Sequence, residues 1–323
     1  MFGNRLGWSI SLLIVIVAGW LGYAIWQAAQ ISPQTGWNST VVPIQMPPQA
    51  DSVVPEMNDP RDAGELIRAA IEDEESNVAE YAALESAETI DPAAVAARPG
   101  LAKLREATRC SKMNLFRQDP SEIVSYDPDK PPLQAIEHLA KTAERLALLS
   151  AKANDQTNAG WWFASVFSLG TKLYQERVCF AELTSGEELM GIGCVGLQHL
   201  AQQQKLPNIV QILGQFDTDR LNDFQSHIKP VWAVLGSIDA PTMSAHAGDI
   251  IQLARDRAVD RLWRVEATLQ LGKLKFGGGR RADQLAAQRI LTGMADDSTD
   301  DPAVRCAAAA GRDLAVEQYR MLR

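Results

Sequence analysis

Glycan cleavage on an all-helical frame needs two carboxyl groups, one kept protonated by apolar surroundings and one ionised. Glu176 and Glu182, close to the aromatic run containing Trp161, Trp162 and Phe167, are the pair whose type and setting best match that need. Surface salt bridging explains such carboxylates more simply, so no catalytic residue is assigned to either position. The segment Gly191-Ile192-Gly193-Cys194-Val195-Gly196 has the letters of a dinucleotide-binding glycine fingerprint. That fingerprint works where a strand turns into a helix and backbone amides meet pyrophosphate. No β-branched run leads into these residues, and the expectation is a packed helix whose small residues let two backbones approach closely.

Metal and thiol chemistry find little support. The histidines, His138, His199, His227 and His246, form no His-x-x-x-His pair and stand at no zinc spacing from a cysteine. His138 follows Glu137 on the side of its segment that reads as polar and solvated. Cys110, Cys179, Cys194 and Cys306 are scattered. Cys179 and Cys194 flank Thr184 to Gly186 and would bridge only if a turn there brought them face to face; buried unpaired thiols are the simpler expectation. Gly272 to Gly279 lacks the Lys-Ser or Lys-Thr of a phosphate loop, and no Gly-x-Ser-x-Gly elbow occurs. Arg255, Arg257, Arg261 and Arg264 alternate with Asp256, Asp260 and Glu266, which reads as pairing within one helix, for example Asp260 with Arg264. No catalytic, cofactor-binding or metal-binding residue is therefore expected, and no cofactor.

Helices must position all of these groups. Ile136, Leu139, Ala140, Ala143, Leu146, Ala147 and Ser150 recur at three- and four-residue steps after Pro131-Pro132, the stripe of a core-facing helix. A second helix is expected from about Ala159 to Leu183, apolar nearly all round at its start and hence central. A third is expected to open at Ser185, where Ser185-Gly186-Glu187-Glu188 reads as a capping box. Further helices are expected at about Asn222 to Leu235, Gly248 to Phe276, Arg281 to Met294 and Pro302 to Leu322, the last with Asp301 as its cap. Gly277-Gly278-Gly279 would end the helix before it. No convincing strand intervenes, and short loops between long helices imply antiparallel neighbours.

Charge divides the chain. Among 323 residues, 31 are basic and 40 acidic, a net of -9, which argues against nucleic acid as a partner. Arg5 is the only charged residue before Asp51, and residues 8–29 are apolar enough to form a transmembrane anchor helix, with Trp8 near one end and Trp20, Tyr23 and Trp26 toward the other. Gln27-Ala28-Ala29 makes a poor cleavage site for a signal peptide. The order expected is a short cytoplasmic tail (1–7), the anchor (8–29), a proline-rich linker (30–60), an acidic helical segment (61–91) and a helical body (92–323). From Asp51 to Asp91, thirteen acidic residues face only Arg61 and Arg68, a net of -11, read as a solvated face with Ile67, Ile71, Val78, Tyr81 and Leu84 as the buried stripe. With Arg5 before the anchor and no basic residue after it until Arg61, the amino terminus is placed in the cytoplasm and the body outside, at the inner (plasma) membrane.

The Ala-rich stretch before Asn154-Asp155 and the helix with Ala159, Ala164 and Gly170 resemble a degenerate tetratricopeptide-type hairpin, and Asp301 to Arg312 resembles a HEAT-type helix start. Arg109-Cys110, Leu139 to Asn154, Leu189 to Leu200, Arg264 to Phe276 and Ala303 to Met321 together resemble a group of uncharacterised single-pass envelope proteins of planctomycete-type bacteria, over roughly two thirds of the chain. Ser111-Lys112-Met113 departs from that group's more apolar continuation. The resemblance implies architecture and location rather than an activity. The fold expected is all-α: an N-terminal transmembrane helix, then an extracytoplasmic helical bundle or short α-solenoid of antiparallel hairpins. The role expected is interaction or scaffolding, with the lipid bilayer as partner through residues 8–29 and a protein partner beyond it. The alternatives are a glycan- or peptide-cleaving envelope enzyme with its site near Trp161 and Trp162, and a small-ligand-binding sensor module.

Overall fold

The computed structural model describes residues 58–86, 91–115, 133–229, 232, 235, 247–274 and 281–321. The anchor expected at 8–29 lies outside them, as do most of the linker, His246 and Gly277-Gly278-Gly279. No helix among the described residues is long and apolar enough to cross a membrane.

The all-α reading holds for these residues, with one exception at the start. β1 (Asp59–Asp62) and β2 (Cys110–Lys112) pair in parallel, Asp59 opposite Cys110 and Asp62 opposite Lys112. Strands of four and three residues are too short to show a period-two pattern, which is why no strand is legible in the sequence. The pairing ties the last two residues of the expected linker to the body. Between and after the strands lie α1 (Gly64–Ser76), α2 (Val78–Ser86), α3 (Pro92–Ala96), α4 (Pro99–Ala107), α5 (Leu133–Lys152), α6 (Gln156–Glu176) and α7 (Phe180–Gln203). Next come α8 (Pro207–Asp223), which runs into a π turn at Phe224–Ile228, then α9 (Ala247–Arg255), α10 (Arg261–Leu274), α11 (Arg281–Asp296) and α12 (Pro302–Met321).

All seven stripe residues of α5 are buried, as expected. In the acidic segment Ile67, Ile71 and Tyr81 are buried, but Val78 is 45% exposed. Leu84 is partly buried against the core, so the expected stripe holds except at Val78, which opens α2 just after Asn77 interrupts the helix: the Asn77 side-chain amide donates to the Asp73 carbonyl at 2.7 Å. Nor is the acidic run only a solvated face. Asp73 accepts from the Tyr81 hydroxyl at 2.7 Å and the Gly100 amide at 3.1 Å, and Glu80 pairs with Arg98 at 2.5 Å.

The largest corrections fall on the central hairpin. α6 ends at Glu176 rather than near Leu183, and Ser185 lies buried inside α7 rather than capping it. Arg177 adopts the left-handed conformation (φ 32°), its amide donating to the Leu173 carbonyl at 2.8 Å, and the chain reverses. Asn154 (φ 58°) and Lys205 (φ 59°) end α5 and α7 the same way, the following amides donating to Ser150 and Ala201 carbonyls at 2.9 Å. The long helix expected over Gly248 to Phe276 is two: Asp256 accepts from the Ala258 amide at 2.9 Å to form a turn, and Asp260 caps α10 by accepting from the Leu262 amide at 3.0 Å. Every described residue of the helix expected over Asn222 to Leu235 is helical, with a π turn over Phe224–Ile228, but the helical stretch begins earlier, as α8 at Pro207. Only Leu213, Phe216 and Arg220 along α8 are buried, too sparse a stripe to register as a period. α12 opens where expected, with Asp301 accepting from the Ala303 amide at 2.8 Å.

Helices α5, α6, α7 and α8 each pack on the next, while α4 lies against α1 and α6, and α10 touches α9, α11 and α12. The glycine run expected to permit close approach does so. A Cβ on Gly193 would meet the Phe167 backbone nitrogen at 2.6 Å, one on Gly196 the Phe163 ring at 2.2 Å, and one on Gly170 the Met190 amide nitrogen at 2.4 Å. Gly191 makes room for a different neighbour: a Cβ there would stand 2.7 Å from the Arg220 guanidinium of α8. By contrast, nothing lies within 4 Å of a Cβ on Gly293 of α11. Gly193→Ala and Gly196→Ala are therefore expected to destabilise the chain by about 1–3 kcal/mol in urea unfolding. Gly293→Ala is expected to be neutral or to stabilise by about 0.5–1 kcal/mol.

Candidate functional site

Glu176 and Glu182 meet at the α6–α7 turn, and both are buried, which corrects the surface reading. Glu176 Oε1 accepts from the Leu115 amide at 2.7 Å, tying the segment after β2 to the end of α6. Glu182 Oε2 accepts from the Val178 amide at 2.6 Å. Glu182 is the third residue of α7, the position from which a carboxylate reaches back to unsatisfied amides at a helix start. Its other oxygen, Oε1, is buried with no hydrogen-bond partner among the described residues. Burial pushes the Glu182 carboxyl well above the usual range and the nearby Glu176 charge adds to this, against the Val178 amide and the more distant Arg261.

The same turn is held by groups far away in sequence. Arg177 donates to both oxygens of Asp260, the α10 cap, and most closely to Oδ2, at 3.0 and 2.8 Å from Nε and Nη2; it also donates to the Tyr174 carbonyl at 3.3 Å. Arg261 donates to the Glu176 carbonyl at 3.3 Å and pairs with Asp301 at 3.0 Å. The Phe180 amide donates to Glu266 at 2.9 Å. The arginine cluster thus pairs between elements, not along one helix: Asp260 takes Arg177, and Arg264 takes Asp300 at 2.6 Å. This arrangement satisfies helix ends. A carboxylate with 0% exposure, bonded to a backbone amide, has no face for a substrate.

Other buried polar groups are also held by partners within the fold, at helix ends or between helices. Lys172 reaches the hydroxyl of Ser168 and lies 3.5 Å from the Thr108 carbonyl just beyond α4, which also accepts from the Ser168 hydroxyl at 3.0 Å. Burial pushes the Lys172 ammonium down to about 8, while the Cys110 thiol opposes this. His138 is not solvated: its Nδ1 lies 2.6 Å from the buried Glu74 carboxylate. Trp162 is buried, and the Trp161 ring has the Arg105 and Arg109 guanidinium groups 5.1 and 5.0 Å from its centroid, so cations occupy the aromatic platform a sugar would use. Arg220, also buried, donates to the Glu187 carbonyl at 2.9 Å and pairs with the Glu187 and Asp217 carboxylates, pinning α8 to α7.

Cys179 and Cys194 form no bridge. They lie at the start and in the middle of one helix, about 22 Å apart along its axis by fifteen residues of rise. Burial pushes the Cys194 thiol up to about 12, and that of Cys179 well above its usual value, so neither is a nucleophile at neutral pH. No cluster of three or more His, Cys, Asp or Glu able to hold a metal occurs among the described residues. No protein-family model, curated protein or solved structure matches the chain.

Folding raises the Glu182 pKa above its ordinary value of 4.5, so the stability linked to its proton is complete below that pH and declines as pH rises through the folded value. Glu182→Gln keeps an acceptor for the Val178 amide and removes the charge. Urea unfolding should show this variant gaining on the parent between pH 5 and 8, whereas Glu182→Ala should lose about 1–3 kcal/mol already at pH 5. Equal losses in both variants would contradict a capping role.

Proposed function

We propose that the chain is a single-pass membrane protein whose helical body serves as an interaction or scaffolding module. The observation that carries this reading is the absence of any charged residue from Leu6 to Ala29, over a stretch long enough to span a bilayer. Arg5 before it, and no basic residue after it until Arg61, favour a cytoplasmic amino terminus and an extracytoplasmic body at the inner membrane. Pro33, Pro43, Pro47, Pro48 and Pro55 suit the linker up to the start of β1 at Asp59 to an extended spacer. The succession of α5, α6, α7 and α8, each packed on the next, supports an α-solenoid-like array, in keeping with the likeness to tetratricopeptide-type hairpins and to planctomycete-type envelope proteins. The glycan-cleaving alternative gains nothing from Glu176 and Glu182, which are committed to backbone amides. The ligand-binding alternative is favoured by one local feature, an arginine-lined cleft between α9 and α11.

Three experiments on the full chain test the proposal. Membrane fractions should retain the protein through alkaline carbonate washing, and a carboxy-terminal alkaline phosphatase fusion should be active while a green fluorescent protein fusion stays dark. Release into the soluble fraction, or the reverse reporter pattern, would contradict the topology. Crosslinking in intact envelopes should then recover a reproducible protein partner; repeated failure to do so would count against the interaction role.

A further inference from the structure

The loop after α9 and the loop before α12 are joined by ion pairs. Arg257 pairs with Asp297 at 2.7 Å and also donates to the Thr299 hydroxyl at 2.9 Å, while the buried Arg264 pairs with Asp300 at 2.6 Å. Beside this seam lies a cleft of about 400 Å³, within the range of small-molecule sites. Arg255 at the end of α9 and Arg289 on α11 line it together with Arg257. Asp297 and Asp300 are the carboxylates on its wall, and both are already taken by Arg257 and Arg264. Arg255 and Arg289 are exposed, and neither has an ion pair or hydrogen bond among the described residues. Two guanidinium groups thus remain in excess in one concavity, an arrangement that focuses a positive field. Gly293, also on the cleft wall, opens it further, since a Cβ there would meet nothing within 4 Å. Ile290 and Met294 add an apolar strip one helical turn long.

We infer that this cleft binds a small solute carrying an oxyanion, a phosphate or a carboxylate group, held between Arg255 and Arg289 with its apolar part against Ile290 and Met294. Guanidinium groups offer planar paired donors that match both oxyanions. Arg257 stays on Asp297 and Thr299 and acts as a positioning residue for the wall. The inference names a ligand chemistry for the ligand-binding alternative and holds whether or not the chain is anchored in a membrane.

The test is calorimetric titration of the purified full chain in detergent with inorganic phosphate and, separately, with succinate, each at ionic strength matched by chloride. Saturable binding of either anion is expected, and which one binds identifies the group. Arg255→Ala and Arg289→Ala should each weaken it by about tenfold or more, the effect of losing a charge-assisted hydrogen bond. Gly293→Leu, which fills the cleft and removes no charge, should abolish binding while leaving the helical circular dichroism spectrum unchanged. No saturable heat with either anion, or binding that persists in both the Arg255→Ala/Arg289→Ala double variant and Gly293→Leu, would overturn the inference. Such a result would leave the topology of the anchor, read by the fusions above, untouched.

Discussion

A helix that ends inside an apolar core leaves amides or carbonyls that its own turns cannot satisfy, and each must find a polar partner or carry a desolvation cost. Among the described residues, much of the buried ionic chemistry around the α6–α7 turn and the end of α4 answers that constraint. At the α6–α7 turn, Glu176, Arg177, Glu182, Asp260, Arg261 and Glu266 bond to one another or to backbone groups up to 86 residues away. Lys172 and Ser168 do the same for the Thr108 carbonyl beyond α4. The turn therefore fixes how α6 and α7 meet the segment after β2 and the start of α10. Because buried pairs add little net stability, their effect is chiefly to specify one arrangement: removing one partner leaves a buried group unsatisfied, while the apolar contacts around it supply most of the energy.

Glycine completes that arrangement along the rest of the hairpin. Gly170, Gly193 and Gly196 let α6 and α7 approach until side chains of one touch backbone of the other, and Gly191 admits the Arg220 guanidinium from α8. The letters that resemble a nucleotide fingerprint are thus explained by packing on two sides of a single helix. This is legible in the sequence, because the lead-in to Gly191 has helical composition and no strand. The core stripe of α5 and the Asp301-Pro302 start of α12 are legible for a similar reason: periodicity and first-turn chemistry are local.

What the sequence hides is non-local. Arg177 and Lys205 end helices in the left-handed conformation without glycine, so no residue type marks those stops, and the expected α6–α7 boundary is displaced toward a capping box that the fold does not use. The burial of Glu176 and Glu182 depends on Leu115, Arg261 and Glu266, which only the tertiary fold brings together. Likewise the arginines between 255 and 264 alternate with acids as if for pairing along a helix, yet the break at Asp256 to Asp260 sends them to Asp297, Asp300 and Asp301 instead. That redirection is also what leaves Arg255 facing the cleft without a partner among the described residues.

If the charged turn and the glycine seam are the constraint on which the other helices depend, the α6–α7 hairpin should be the last part of the body to open. Native-state hydrogen exchange of the full chain, followed by mass spectrometry, reads this directly. Peptides covering 160–174 and 183–200 should exchange slowest and together, at the rate of global unfolding, while α8 over 207–223 exchanges faster through local opening. Exchange of the hairpin peptides as fast as those of α8, or of α6 and α7 at clearly different rates, would contradict the account.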